Sequence, residues 1–68
     1  MELEAALRAG ESARAELLAH TLKGVAGNLG ARRLQDIAGR VERTLREGGT
    51  PDLVTLGATL KATLEGLP

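Results

Sequence analysis

The chain contains no cysteine. A disulfide, a thiolate metal site and a thiol nucleophile are therefore excluded, and the redox compartment leaves no trace in the sequence. There is no Phe, Trp or Tyr either. Nucleic-acid bases cannot be stacked on aromatic rings, as in many single-strand binders. The core has to be built from Leu, Ala, Val and Ile. Having only one histidine, His20, excludes a histidine-rich metal cluster. Neither sign of charge is in excess: nine basic residues face nine acidic ones. That balance gives no strong attraction to nucleic acid or to an anionic membrane. No long apolar run marks a signal peptide or a membrane span. A soluble, cytoplasmic protein is the expectation.

Sixty-eight residues make one small domain, residues 1–68, with no room for a second. An aliphatic core of that size is marginal. Self-association as a homodimer, or a place within a longer protein, is therefore an open route to further stability.

What is abundant is Ala, Leu, Glu and Arg, all good helix formers. No run alternates convincingly like a strand. Glycines and Pro51 divide the chain into four helical segments, at about 2–9, 12–29, 31–47 and 51–66. The first carries a short stripe of Leu3, Ala6 and Leu7. Gly10 ends it, and Ser12 is placed to cap the second. On a wheel of about 100° per residue with His20 at zero, Leu18, Leu22, Val25 and Leu29 fall at roughly 140–200°. Ala15, Ala19 and Ala26 lie to one side of them. This is the expected core face, opposite His20.

Gly30 is suited to a left-handed helix end. The third segment repeats Leu34, Ile37, Ala38, Val41 and Leu45 at helical spacing. Arg32, Arg33, Gln35, Asp36, Arg40, Glu42, Arg43 and Arg46 are left to its other faces. Gly48 and Gly49 stop it. Thr50 is the expected cap of the fourth, with Pro51 as its first residue. Leu53, Leu56, Leu60, Leu64 and Leu67 line that segment, and Gly57 is a weak point. Short connections make consecutive helices antiparallel neighbours. The expected fold is all-α, an up-down antiparallel four-helix bundle with a short first helix.

One stripe of the second segment stands out. His20, Lys23, Gly24 and Gly27 share a helix face by their i, i+3, i+4 and i+7 spacing. Ala13, Glu16 and Leu17 lie within roughly 60° of the histidine. Gly24 and Gly27 each weaken a helix interior by roughly 0.5–1 kcal/mol relative to Ala. Two such losses beside one outward histidine point to close approach by another molecule.

The stretch from Leu18 to Glu42 resembles the histidine phosphotransfer domain of bacterial phosphorelays. The matching residues are Ala19-His20-Thr21-Leu22-Lys23-Gly24, then Ala26-Gly27-Asn28-Leu29-Gly30-Ala31, then Leu34, Ala38 and Val41-Glu42. The His-x-x-Lys-Gly core is the specific part. The helix ahead of the histidine helix is a stub compared with the family's. By resemblance, His20 is the phosphorylated residue and Lys23 its positive neighbour. Gly24 is the small residue that admits a receiver domain. Gly27, Leu17, Glu16 and Ala13 are candidate docking contacts around it. Some relatives carry a helpful glutamine where Glu42 falls. A carboxylate aimed at phosphate would repel it, so Glu42 is given no role.

The chemistry fits the residue types. An imidazole titrates near pH 6.5 in water, so its neutral form is available as a nucleophile toward phosphorus at about pH 7. Phosphoryl transfer needs in-line positioning and charge neutralisation more than covalent machinery. A lysine ammonium can follow the moving group as a mobile point charge. No P-loop or other nucleotide motif is present, so the chain is not expected to be an autonomous ATP-driven kinase. No cofactor of its own is implied. Mg²⁺ is expected from the receiver partner. The implied partners are response-regulator receiver domains, with a hybrid histidine kinase as a further one. One alternative is the histidine-containing domain of a chemotaxis-type kinase. Another is a non-catalytic helical interaction or dimerisation domain.

Overall fold

A computed structural model describes residues 2–66, which form four helices and, among the described residues, no strand. They are α1 (Glu2–Arg8), α2 (Ser12–Asn28), α3 (Arg32–Arg46) and α4 (Leu53–Glu65). Each consecutive pair packs together, and α2 against α3 is the largest interface. No helix among the described residues is long and apolar enough to cross a membrane.

The first three helices end the same way. After α2, Gly30 takes φ +72°. Its N–H donates to the Gly27 carbonyl at 3.2 Å, and the Ala31 N–H donates back to Ala26 at 2.9 Å. These two bonds satisfy carbonyls that the last turn leaves over, and they require a left-handed residue between them. Gly10 and Gly48, expected only to end α1 and α3, repeat the arrangement there. The chain reverses within a few residues each time, so α2 and α3 run antiparallel. Glu16 meets Arg46, His20 meets Glu42, and Gly27 faces Gln35.

Two expected caps lie elsewhere. Ser12 is the first residue of α2, and the N-cap is Glu11, with no side-chain hydrogen bond. The Glu11 N–H already closes the end of α1 on the Ala6 carbonyl, so one tight turn serves both helices. Helix α4 starts at Leu53, not at Pro51, and its cap is Asp52 instead of Thr50. The Asp52 carboxylate accepts from the Thr55 N–H at 3.0 Å and from the Thr55 hydroxyl at 2.6 Å. These two bonds hold the Asp52 carboxyl below its ordinary 3.8.

The core is small. Leu3 and Ala6 of α1, Ala15, Ala19 and Ala26 of α2, Leu34, Ala38, Val41 and Leu45 of α3, and Leu56 of α4 are buried. The α3 stripe lies as expected, with Ile37 half-buried at its margin. On α2 the buried line is the alanine row. Leu18 and Leu22 are half-buried, and Val25 and Leu29, expected in the core, are 49% and 55% exposed. The reason is geometric. At about 1.5 Å per residue, α1 is roughly 10 Å long and α2 roughly 26 Å. Such a stub cannot cover the C-terminal half of α2. On α4, Leu64 is exposed and Thr59 is buried in the row instead. Leu67 lies outside the described residues.

Candidate functional site

His20 sits mid-way along α2 on the face opposite the half-buried Leu18 and Leu22. Its side chain is 64% exposed. The neighbouring Ala19 is fully buried, which fixes the rotation of the helix at this point. Lys23 follows one turn later, half-buried, with its stem lying over Gly39 of α3. A Cβ at Gly24 would meet nothing within 4 Å, so this glycine faces open space. Gly27 is different: a Cβ there would come within 2.7 Å of the Gln35 amide. Gly27 therefore borders α3 as well as solvent.

The residue that sequence reasoning left without a role is Glu42. It does not join the other charged residues of α3 on a solvated face. Its side chain is only 8% exposed. Carboxylate Oε2 lies 2.7 Å from His20 Nδ1 and 3.2 Å from Arg46 Nη2. Oε1 lies 3.6 Å from the Lys23 ammonium. Arg46 also donates through Nε to Glu16 Oε1 at 3.0 Å. Burial pushes the Glu42 carboxyl up, but the His20 hydrogen bond and the positive charges of His20, Lys23 and Arg46 together outweigh it. The net result lies below the ordinary 4.5.

That direction decides the tautomer of the ring. A carboxylate ionised at neutral pH only accepts hydrogen bonds, so Nδ1 of His20 must be the donor. In the neutral imidazole the other nitrogen, Nε2, then carries the free lone pair. No hydrogen bond to Nε2 is formed among the described residues. A carboxylate behind one nitrogen of a histidine fixes the tautomer and the orientation of the ring.

Ala13, Glu16, Leu17 and His20 line one shallow groove with Glu42 and Arg46. Leu17 is exposed at its edge. Gly24 and Gly27 lie further along α2, outside that groove. On the other side, Lys23, Gln35, Asp36, Gly39, Glu42, Arg43 and Arg46 line a polar cleft between α2 and α3. Among the described residues no group of three or more His, Cys, Asp or Glu side chains could hold a metal ion.

A signal for Glu42 was present in the sequence. The pairs Glu16–Arg46, His20–Glu42, Lys23–Gly39 and Gly27–Gln35 are each equidistant from Ala31. A helical hairpin folded about the Gly30 turn matches residues in this way, because both arms rise equally per residue.

Fold and site together define an all-α domain that presents one tethered histidine to solvent. A family model described as "Hpt domain" matches residues 1–68, the whole chain. The chain belongs to this family, the histidine phosphotransfer domains of two-component signalling. Domains of the family interact with response-regulator receiver domains and with histidine kinases. No curated protein and no solved structure matches the chain.

Proposed function

We propose that His20 accepts a phosphoryl group from the phospho-aspartate of a receiver domain and passes it to the aspartate of another. The observation that carries this reading is the exposed imidazole whose Nδ1 is held by Glu42 at 2.7 Å, leaving Nε2 as the nucleophile.

In the forward step the Nε2 lone pair attacks phosphorus in line with the aspartyl oxygen. The Nε2–P bond forms, the P–O bond breaks, and the electron pair leaves with the aspartate carboxylate. Nδ1 keeps its proton, so the ring becomes cationic, and that charge develops against Glu42. Charge stabilised where it appears in the reaction is an effective form of catalysis. Lys23 leaves its place beside Glu42 Oε1 to follow the phosphoryl oxygens. The return step reverses these bond changes with a second carboxylate. Mg²⁺ would come with the receiver's acidic pocket. Gly24 and the groove of Ala13, Glu16 and Leu17 are the surface on which the receiver sits, with Gly27 at its far margin.

The test is incubation with a phosphorylated receiver and Mg²⁺, following label onto wild type and onto His20→Gln. Acid-labile, base-stable label on the wild type alone is expected. Label retained on a folded His20→Gln variant would sink the assignment.

A further inference from the structure

Arg46 is a long, exposed side chain on α3, one of seven arginines in the chain. Its guanidinium nevertheless touches both helices of the site. Nη2 donates to Glu42 Oε2, the same oxygen that accepts from His20 Nδ1–H, at 3.2 Å. Nε donates to Glu16 Oε1 at 3.0 Å. Glu16 stands one turn before His20 on α2, and Glu42 one turn before Arg46 on α3. Three hydrogen bonds and one turn of α2 backbone between Glu16 and His20 therefore close a ring. Within the ring, Arg46 is the only member bonded to both acidic residues.

We infer that Arg46 is a positioning residue that keeps the Glu42 carboxylate in register with His20 Nδ1, and that Glu16 anchors it there. This rests on the reading of His20 as the phosphoacceptor. The physical argument is one of constraint. A glutamate side chain has three rotatable torsions, and an unanchored carboxylate can turn either oxygen to Lys23, to water or to the ring. The rigid guanidinium fork bonds two carboxylates at a set separation, and a lysine ammonium cannot reproduce that geometry. With Oε2 pinned, the Nδ1–H tautomer is favoured and Nε2 stays unprotonated in the neutral ring. Without the anchor, the ring is free to take the other tautomer, which puts a proton on the nitrogen that must attack.

The experiment has a readout that needs no phosphodonor. Imidazole nitrogen and proton NMR of His20 in the free protein reports which ring nitrogen carries the proton. Wild type is expected to hold the Nδ1–H form, and Arg46→Ala to show a mixture. Arg46→Lys should lie between them, because it restores a charge without the fork. Transfer from a phosphorylated receiver at saturating concentration should fall severalfold in Arg46→Ala, less than the roughly 10–100-fold seen when a group bonded directly behind a metal-bound histidine is removed, because Arg46 acts through Glu42. An unchanged tautomer in folded Arg46→Ala overturns the inference, even if transfer is slower. So does a loss confined to the receiver concentration for half-maximal rate, which would make Arg46 a docking contact only. If Arg46→Ala does not fold, Glu16→Gln decides. It should shift the tautomer in the same direction by less, and no shift overturns the proposal. Failure of His20 to accept phosphate at all would instead strike the parent reading, leaving the NMR result to stand alone.

Discussion

Glu42→Gln separates two opposite roles for this carboxylate. One is repulsion of the incoming phosphoryl group, and the other is support of the ring that attacks it. Glutamine keeps the size and can still accept from Nδ1 at the 2.7 Å contact, but it removes the charge. A hydrogen bond to a charged group contributes about 1.5–3 kcal/mol and a neutral one about 0.5–1.5 kcal/mol. The difference, about 1–1.5 kcal/mol, grows in importance as the ring becomes cationic. At about 1.36 kcal/mol per factor of ten, it slows acceptance by about five- to tenfold. The repulsive effect is smaller. Glu42 lies on the Nδ1 side of the ring, so the phosphorus is about 7 Å away, roughly twice as far as the imidazolium charge, and at any one dielectric a unit charge there is repelled about half as strongly as the ring is attracted. Lys23, 3.6 Å from Oε1, offsets part of that. Attraction wins on this arithmetic. The assay is single-turnover label transfer from a saturating phosphorylated receiver, with helicity checked by circular dichroism. A folded Glu42→Gln variant that accepts as fast as wild type, or faster, refutes the reasoning and restores simple repulsion.

Three further outcomes are expected. Gly24→Gln should slow transfer, because its side chain would stand on the proposed receiver surface, while the melting temperature stays level or rises. A Cβ there meets nothing within 4 Å, and replacing a helical glycine recovers up to about 1 kcal/mol; unchanged transfer kinetics would remove this account of Gly24. Asp52→Ala should cost about 1 kcal/mol through the lost cap, or about 4–8 °C in a domain this small, with transfer unaffected; a melting curve that does not move would show that the Thr55 bonds contribute nothing. Acid should destabilise the fold in a defined window. Because the folded protein holds Glu42 below 4.5, its ionised form stabilises fully above about that pH, and the contribution is lost as pH falls through the lower folded value. Asp52 acts the same way below 3.8. Melting temperature against pH should therefore fall less steeply in Glu42→Gln than in wild type, and parallel curves would contradict the assignment.

Helix number, order and the turns at Gly10, Gly30 and Gly48 were legible because each rests on local chemistry. A left-handed glycine closes a helix whatever packs against it. The α3 stripe was legible for a similar reason, since one face of that helix is apolar and its opposite face is charged. Helix α2 was not, because it carries two candidate faces. Its leucine row is the more hydrophobic, yet the alanine row is the one fully buried. Which row wins depends on the length of the neighbouring helix, which no wheel of α2 contains. Asp52 displaced Thr50 as a cap because it finds both an N–H and a hydroxyl on Thr55. His20, Lys23 and Gly24 were visible as a motif within one helix. Glu42 and Arg46 were not, since their place depends on pairing across the hairpin.

The alanine row and the site are two consequences of one packing choice. The distance between packed helices is set by the side chains at their contact. Ala15, Ala19 and Ala26 on α2 and Ala38 on α3 have no exposed surface, and α2 against α3 is the largest helix interface. Alanines at the contact let the two backbones approach more closely than leucines would. Close approach brings short-range chemistry within reach at the rim of the interface. A glutamate on α3 can then bond a histidine on α2 at 2.7 Å while remaining 8% exposed. Had the leucine row faced α3, α2 would be turned about its axis and His20 would point further from Glu42. The modest core and the tethered histidine therefore come together. Burying the less hydrophobic face leaves Val25 and Leu29 in water, and it sets His20 against the Glu42 carboxylate.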